Sequence, residues 1–171
     1  MAILSILNFN NPILRQKAKR VRTVDGSLQK LIGDMVDTMR AANGVGLAAP
    51  QVGISLRVAV IQTSEEEEEE VIVLINPEIV KRSGTRLVGE GCLSLPGYKG
   101  EIPRSLSVTV KARDRQGKEF RIKGADLLAQ ALEHEIDHLN GTLFFDHLDS
   151  LDKLQRIESR PPAAPEETLP Q

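Results

Sequence analysis

A single cysteine, Cys92, stands in the whole chain, so no disulfide can form within it and no oxidising compartment is implied. Tryptophan is absent and aromatics reach only 3%, which leaves Leu, Ile, Val, Ala and Met to build the core. No apolar run is long enough to span a bilayer. The start, Met1-Ala2-Ile3-Leu4-Ser5, lacks the basic opening and apolar stretch of a signal peptide. Neither sign of charge dominates: the net charge is -2 and the pI about 6.0, which gives no broad basic field for nucleic acid or anionic lipid. These absences predict a cytoplasmic protein with no membrane and no direct sequence-specific nucleic-acid partner. What is present suits one globular domain: 171 residues, 40% hydrophobic and 27% charged.

Leu28, Leu31, Ile32, Met35, Val36 and Met39 recur at i, i+3, i+4, i+7, i+8 and i+11, the spacing of one helix face. Asp25 or Ser27 can cap its start, and Asn43-Gly44 can close it. The next stretch, Gly44-Val45-Gly46-Leu47-Ala48-Ala49-Pro50-Gln51, is small and glycine-rich. Residues 57–61 and 71–75 are β-branched and read as strands. Six glutamates, 65–70, lie between them and predict a solvated hairpin loop held open by self-repulsion. Residues 106–110 alternate, and 120–122 can pair with them across Asp114-Arg115-Gln116-Gly117. Residues 126–140 are again helical in pattern, with Gly141 as a stop. A short last helix is expected over 149–159, and a disordered tail over 161–171, which is rich in Pro, Ala and Glu. The expected class is α+β: antiparallel strands around a central metal-binding helix, with an N-terminal amphipathic helix and a short C-terminal one. Residues 1–160 would form a single catalytic domain.

His134-Glu135-Ile136-Asp137-His138 is the strongest chemical signal. On a helix, i and i+4 share one face, so both imidazoles can bind one ion. At ~100° per residue, His138 lies about 40° round from His134, and Glu135 about 100°. Glu135 therefore flanks the ion, which suits a general base acting on water at the metal. Asp137 falls on the other flank, as a candidate partner for an imidazole. Two histidines leave a catalytic metal one ligand short. A metzincin-like histidine three residues after Gly141 is excluded, because that position is Phe144. A thermolysin-like downstream carboxylate survives on spacing as Glu158. Cys92, between Gly91 and Leu93, is the third candidate. Leu127, Gln130 and Ala131 lie about 20°, -40° and 60° round from His134. They would wall a pocket beside the metal fit for a methionine-sized side chain.

Three motifs then coincide. Gly44-Val45-Gly46-Leu47-Ala48-Ala49-Pro50-Gln51, Glu90-Gly91-Cys92-Leu93-Ser94 and His134-Glu135-Ile136-Asp137-His138 resemble, in order and spacing, the three signatures of the peptide deformylases. Ile75-Asn76-Pro77 and Leu139-Asn140-Gly141 are similar as well, so the resemblance covers roughly residues 2–158. It implies removal of the N-formyl group from the formyl-methionine of new polypeptides, with release of formate. It implies that Cys92, His134 and His138 bind one divalent metal and that Glu135 handles protons. Gln51 and the backbone N–H of Leu93 would stabilise the oxyanion. Val45, Gly46 and Gly91 would hold the substrate backbone as an added strand, and Leu127 and Ala131 would line its side-chain pocket. The resemblance favours Fe(II), and the ligand set also suits Zn(II), Ni(II) or Co(II). Two features depart from the family: Glu133 stands where Gln is usual, and the glutamate run is peculiar to this chain.

Two rivals remain at this stage. A thermolysin-like zinc endopeptidase using Glu158 would leave Cys92 and the first motif without a role. A non-catalytic, metal-stabilised binding module would leave Glu135 idle, and structural zinc sites usually close with four protein ligands. The expected partner is a formylated nascent polypeptide. The ribosome is a candidate second partner, although Asp149, Asp152, Lys153, Arg156, Glu158 and Arg160 make the last segment mixed in charge.

Overall fold

A computed structural model describes residues 2–63 and 70–157. Within them, two helices pack against two antiparallel sheets. Helix α1 (Gly26–Ala41) starts where the Asp25 side chain accepts from Leu28 N–H, the capping arrangement worth about 1 kcal/mol. It ends where Gly44 N–H returns to Met39 C=O, beyond Asn43 at φ 54°. Strands β1 (Gly46–Ala48), β2 (Val58–Ile61), β3 (Ile72–Ser83), β6 (Ser107–Arg113) and β7 (Glu119–Ala125) form one sheet in that spatial order. Strands β4 (Arg86–Cys92), β5 (Leu95–Arg104) and β8 (Gln155–Arg156) form the second. Helix α2 (Asp126–Leu139) lies between the two.

Alternation along the strands explains the layering. In β2, Ala59 and Ile61 join the core beneath α2, whereas Val58 and Val60 join the core beneath α1. Both faces of this strand are covered, so it reads as an unbroken apolar run. Leu28, Ile32, Met35, Val36 and Met39 of α1 all fall in the second of these cores. Each such side chain contributes roughly 1.5–3 kcal/mol of burial. A third, small core of Val88, Leu95, Ile102 and Phe144 lies under the second sheet.

The expected hairpins are present. β2 pairs with β3 from Val58 opposite Ile75 to Ile61 opposite Ile72. Of the glutamate run between them, only Glu70 lies within the described residues. β6 and β7 pair across a turn in which Asp114 accepts from the N–H groups of Gln116 and Lys118, and Gly117 adopts φ 84°. Helix α2 stops at Gly141, φ 77°, where a Cβ would sit 2.6 Å from Arg15 O. Only glycine fits both demands.

The expected C-terminal helix is not formed. Residues 151–153 make one 3-10 turn, and Gln155–Arg156 leaves it as a strand on the edge of β5. Pairing with an open sheet edge satisfies that backbone where a short isolated helix would be marginal. Residues 158–160 and the expected tail at 161–171 lie outside the described residues. Among the described residues, no helix is long and apolar enough to cross a membrane.

Candidate metal centre

Two elements meet at the C-terminal half of α2. His134 and His138 stand one turn apart on its inner face, with their Nε2 atoms 3.2 Å from each other. Cys92, at the end of β4, brings Sγ to 3.3 Å from His138 Nε2. The three ligand atoms all lie within 4.8 Å of one another. Burial pushes both imidazoles towards neutrality. At His134, hydrogen bonds to Cys92 and Glu90 and the Glu135 charge overcome that push and raise its pKa well above the ordinary value. His138, also buried and facing the positive charge of His134, is driven well below it. A thiol sulfur and two imidazole nitrogens facing one another this closely make a donor set suited to a divalent cation. The residues fit a metal.

The outer nitrogen of His134 is held from behind. Its Nδ1 lies 2.7 Å from Glu90 Oε2. Glu90 in turn accepts two hydrogen bonds from Arg104, at 3.0 Å from Nε and 2.6 Å from Nη2. Burial pushes the Glu90 carboxyl up, but His134 and Arg104 outweigh it and hold the group at about 2. Glu90 is thus an acceptor that keeps a proton on Nδ1 and turns Nε2 towards Cys92.

Glu135 lies beside the cluster, outside the group of three ligand atoms. It is buried, its Oε2 has no hydrogen-bond partner, and its Oε1 stands 4.0 Å from His134 Nε2. Burial is the main cause that lifts its carboxyl to about 7, a value suited to proton transfer near neutrality. Gly46 makes room for it: a Cβ there would lie 2.6 Å from Glu135 Oε1. Gln51 is buried on a 3-10 turn (Ala49–Val52). Its Oε1 accepts from Ala48 N–H, which aims its Nε2 at Ser94 Oγ, 3.2 Å, and Cys92 Sγ, 3.6 Å.

These groups open into a cavity of about 350 Å³. One wall is Val45 and Gly46 at β1, and the facing wall is Gly89, Glu90, Gly91, Cys92 and Leu93 at β4. β1 and β4 are each the outermost strand of their sheet, so two strand edges border one gap. Leu127, Gln130 and Ala131 of α2 form a third wall beside His134. Leu127 is 44% exposed and belongs to this wall and not to the core. Gln130 donates to Gly89 C=O at 3.3 Å.

The chain matches the family model described as Polypeptide deformylase over residues 3–154. The chain belongs to the polypeptide deformylase family. It is 55% identical over 157 residues to the peptide deformylase of Dehalococcoides mccartyi strain CBDB1, covering 92% of this chain and 93% of that one. Its fold is similar to a crystal structure of a peptide deformylase from Legionella pneumophila, with TM-score 0.86 and 53% identity over 89% of each chain. A second similar structure is a peptide deformylase from Synechococcus elongatus in complex with actinonin. There the TM-score is 0.87 and the identity 40%, covering 90% of this chain and 84% of that one. As a deformylase the chain is an enzyme, a hydrolase that removes the N-formyl group from new polypeptides, and its family implies a divalent metal.

Two parts of this deformylase site differ from the sequence expectation. Asp137 does not back a ligand imidazole. It faces away, accepting from Arg104 Nη1 at 2.8 Å and lying 2.8 Å from Nε2 of His147. The carboxylate behind His134 is Glu90 instead, which sequence reasoning overlooked. The signal was there: Glu90 is two residues before Cys92, so on a strand the two share one face. The thermolysin-like alternative rests on Glu158, which lies outside the described residues, while Cys92 supplies the third donor atom.

Proposed function

We propose that Cys92, His134 and His138 hold one divalent metal, and that around it this deformylase takes the formyl group from formyl-methionine. The convergence of one thiol and two imidazole nitrogens beside a buried Glu135 whose Oε2 has no hydrogen-bond partner carries this reading. A metal bound there supplies a Lewis acid that activates water and polarises the formyl carbonyl. Glu135 takes the proton from the attacking water and delivers it to the leaving amine. Gln51 Nε2 and the Leu93 N–H donate to the oxygen on which negative charge develops. Val45, Gly46 and Gly91 pair with the substrate backbone along the two strand edges. Leu127 and Ala131 receive the methionine side chain, and that binding orients the carbonyl. Products are formate and a free amino terminus.

A thiolate with two imidazoles suits Fe(II), Zn(II), Ni(II) and Co(II), and family resemblance favours Fe(II). The site of action is the cytoplasm, on formylated chains leaving the ribosome. The deciding experiment offers formyl-Met-Ala, acetyl-Met-Ala and an unblocked internal peptide, following both formate and new amino groups. Anaerobic metal analysis of the same sample should find about one ion per chain. Rapid formate release from the first peptide alone is expected, because the acetyl methyl meets Gly46, Gln51 and Leu93. Cleavage of the internal peptide without formate would overturn the reading.

A further inference from the structure

The outer lip of the cavity is built by a segment with no part in the metal chemistry. β8 pairs with the far edge of β5, Lys99 opposite Gln155 and Tyr98 opposite Arg156. The ladder runs on to Ile157, whose N–H donates to Gly97 C=O at 2.8 Å. Ile157 lines the cavity together with Tyr98, Leu127 and Val45. All four are large apolar side chains left 37% to 47% exposed. An apolar ligand that covered them would gain the burial that water denies them.

Strand alternation divides this cavity into two sides. Glu90 reaches His134, so Glu90 and Cys92 face α2, and Gly91 between them faces the other way. Gly91 is opposite Lys99, and Lys99 is opposite Gln155. Two residues along each strand, the same face holds Gly97 and Ile157. Gly97 leaves it bare: at φ 84°, a Cβ there would meet nothing within 4 Å. At that level of the sheet, Ile157 is the first apolar side chain on the face turned away from α2.

We propose that Ile157 forms the subsite for the side chain that follows formyl-methionine, and that it favours an apolar one. A peptide added along the β4 edge sends successive side chains to opposite faces. The methionine goes to Leu127 and Ala131 on α2, so the next residue goes to the face of Ile157. Ile157 is thus a specificity-determining residue supplied by the strand that replaces the expected C-terminal helix.

The inference rests on the deformylase reading, and the test separates the two. Wild-type, Ile157→Gln and Ile157→Leu enzymes are compared on formyl-Met-Leu-Ser, formyl-Met-Gly-Ser and formyl-Met-Asp-Ser. Formate release by the wild type from any of these peptides upholds the deformylase reading by itself. The subsite requires that the wild type prefer Leu over Gly and Asp in kcat/KM. Ile157→Gln should lower the Leu-to-Gly ratio roughly fivefold, through KM more than kcat, as expected for one lost apolar contact. Ile157→Leu should keep the ratio. A wild type indifferent to the second residue would overturn the proposal. So would an Ile157→Gln enzyme that loses activity equally on all three peptides, since that would assign Ile157 to strand pairing alone.

Discussion

Helix α2 carries two kinds of polar side chain around the site. Those on one flank are tied. His134 Nδ1 meets Glu90, Asp137 meets Arg104 and His147, and Glu133 accepts from Ser105 N–H and pairs with Arg82. Those on the other flank are untied: Glu135 Oε2 and His138 Nδ1 have no hydrogen-bond partner. An unsatisfied buried polar group costs about 1–3 kcal/mol. The tied flank fixes the helix against β4 and β5, and so offsets that cost elsewhere. The untied flank keeps one carboxylate oxygen free to exchange protons. Departures from the family pattern follow the same division. Glu133, where the resemblance led us to expect Gln, is buried but gains an ion pair with Arg82 and a backbone donor.

The comparison can be broken hardest at the metal. Cys92→Ala removes one of the three proposed ligand atoms, which no other described residue is placed to replace, and metal affinity should fall by at least about a hundredfold. Metal analysis after dialysis checks this, and a fully loaded variant would remove Cys92 from the site. On the untied flank, Glu135→Gln should keep the metal yet lose turnover by a factor on the order of a hundred or more. Near-normal turnover in the loaded variant would deny Glu135 its proton role.

The tied flank has a different signature. Glu90→Gln should weaken metal binding by roughly ten- to a hundredfold, the usual effect of losing a partner behind a ligand. It should also flatten the acid limb of stability. The folded carboxyl of Glu90 sits at about 2, below its ordinary 4.5. Its contribution is therefore fully present above pH ~4.5 and lost as pH falls towards ~2, on the order of 3 kcal/mol in all. Denaturation of metal-free wild type and variant between pH 6 and 3 should converge on the acid side. Parallel curves would show that Glu90 is not the group responsible. The smallest effect is expected from Gly46→Ala. The added Cβ presses on the free end of Glu135 and not on backbone, so folding should survive while kcat drops by about tenfold. An unchanged kcat would mean that Glu135 has slack to move.

Much of this was written in local patterns. The 3.6-residue period gave both helices, and β-branched runs with an Asp–Gly turn gave the two hairpins of the larger sheet. The imidazole pair left a third ligand to find, with Cys92 and Glu158 both open until the family resemblance favoured Cys92. The second sheet was hidden, because β4 and β5 hold Gly89, Gly91, Gly97, Gly100, Pro96 and Pro103. Such residues weaken any intrinsic strand signal, and the pairing that fixes them is tertiary. The same cause misled the reading of the last segment, whose strand exists only because β5 offers an open edge. Asp137 was assigned by helical angle alone, and an angle cannot say which neighbour occupies that side. Arg104 occupies it, 33 residues away in sequence.

The two strand edges bordering the cavity bear on self-association. An open edge is a template on which further copies can stack, and long exposed ones seed fibres. Here β1 is three residues long, and β4 is interrupted by Gly89 and Gly91. Both turn their unpaired side into the same gap. A folded neighbour presents no slender end to enter it, whereas an unfolded chain terminus does. The geometry proposed to recruit a peptide as a temporary strand therefore also shields these two edges from a second folded copy.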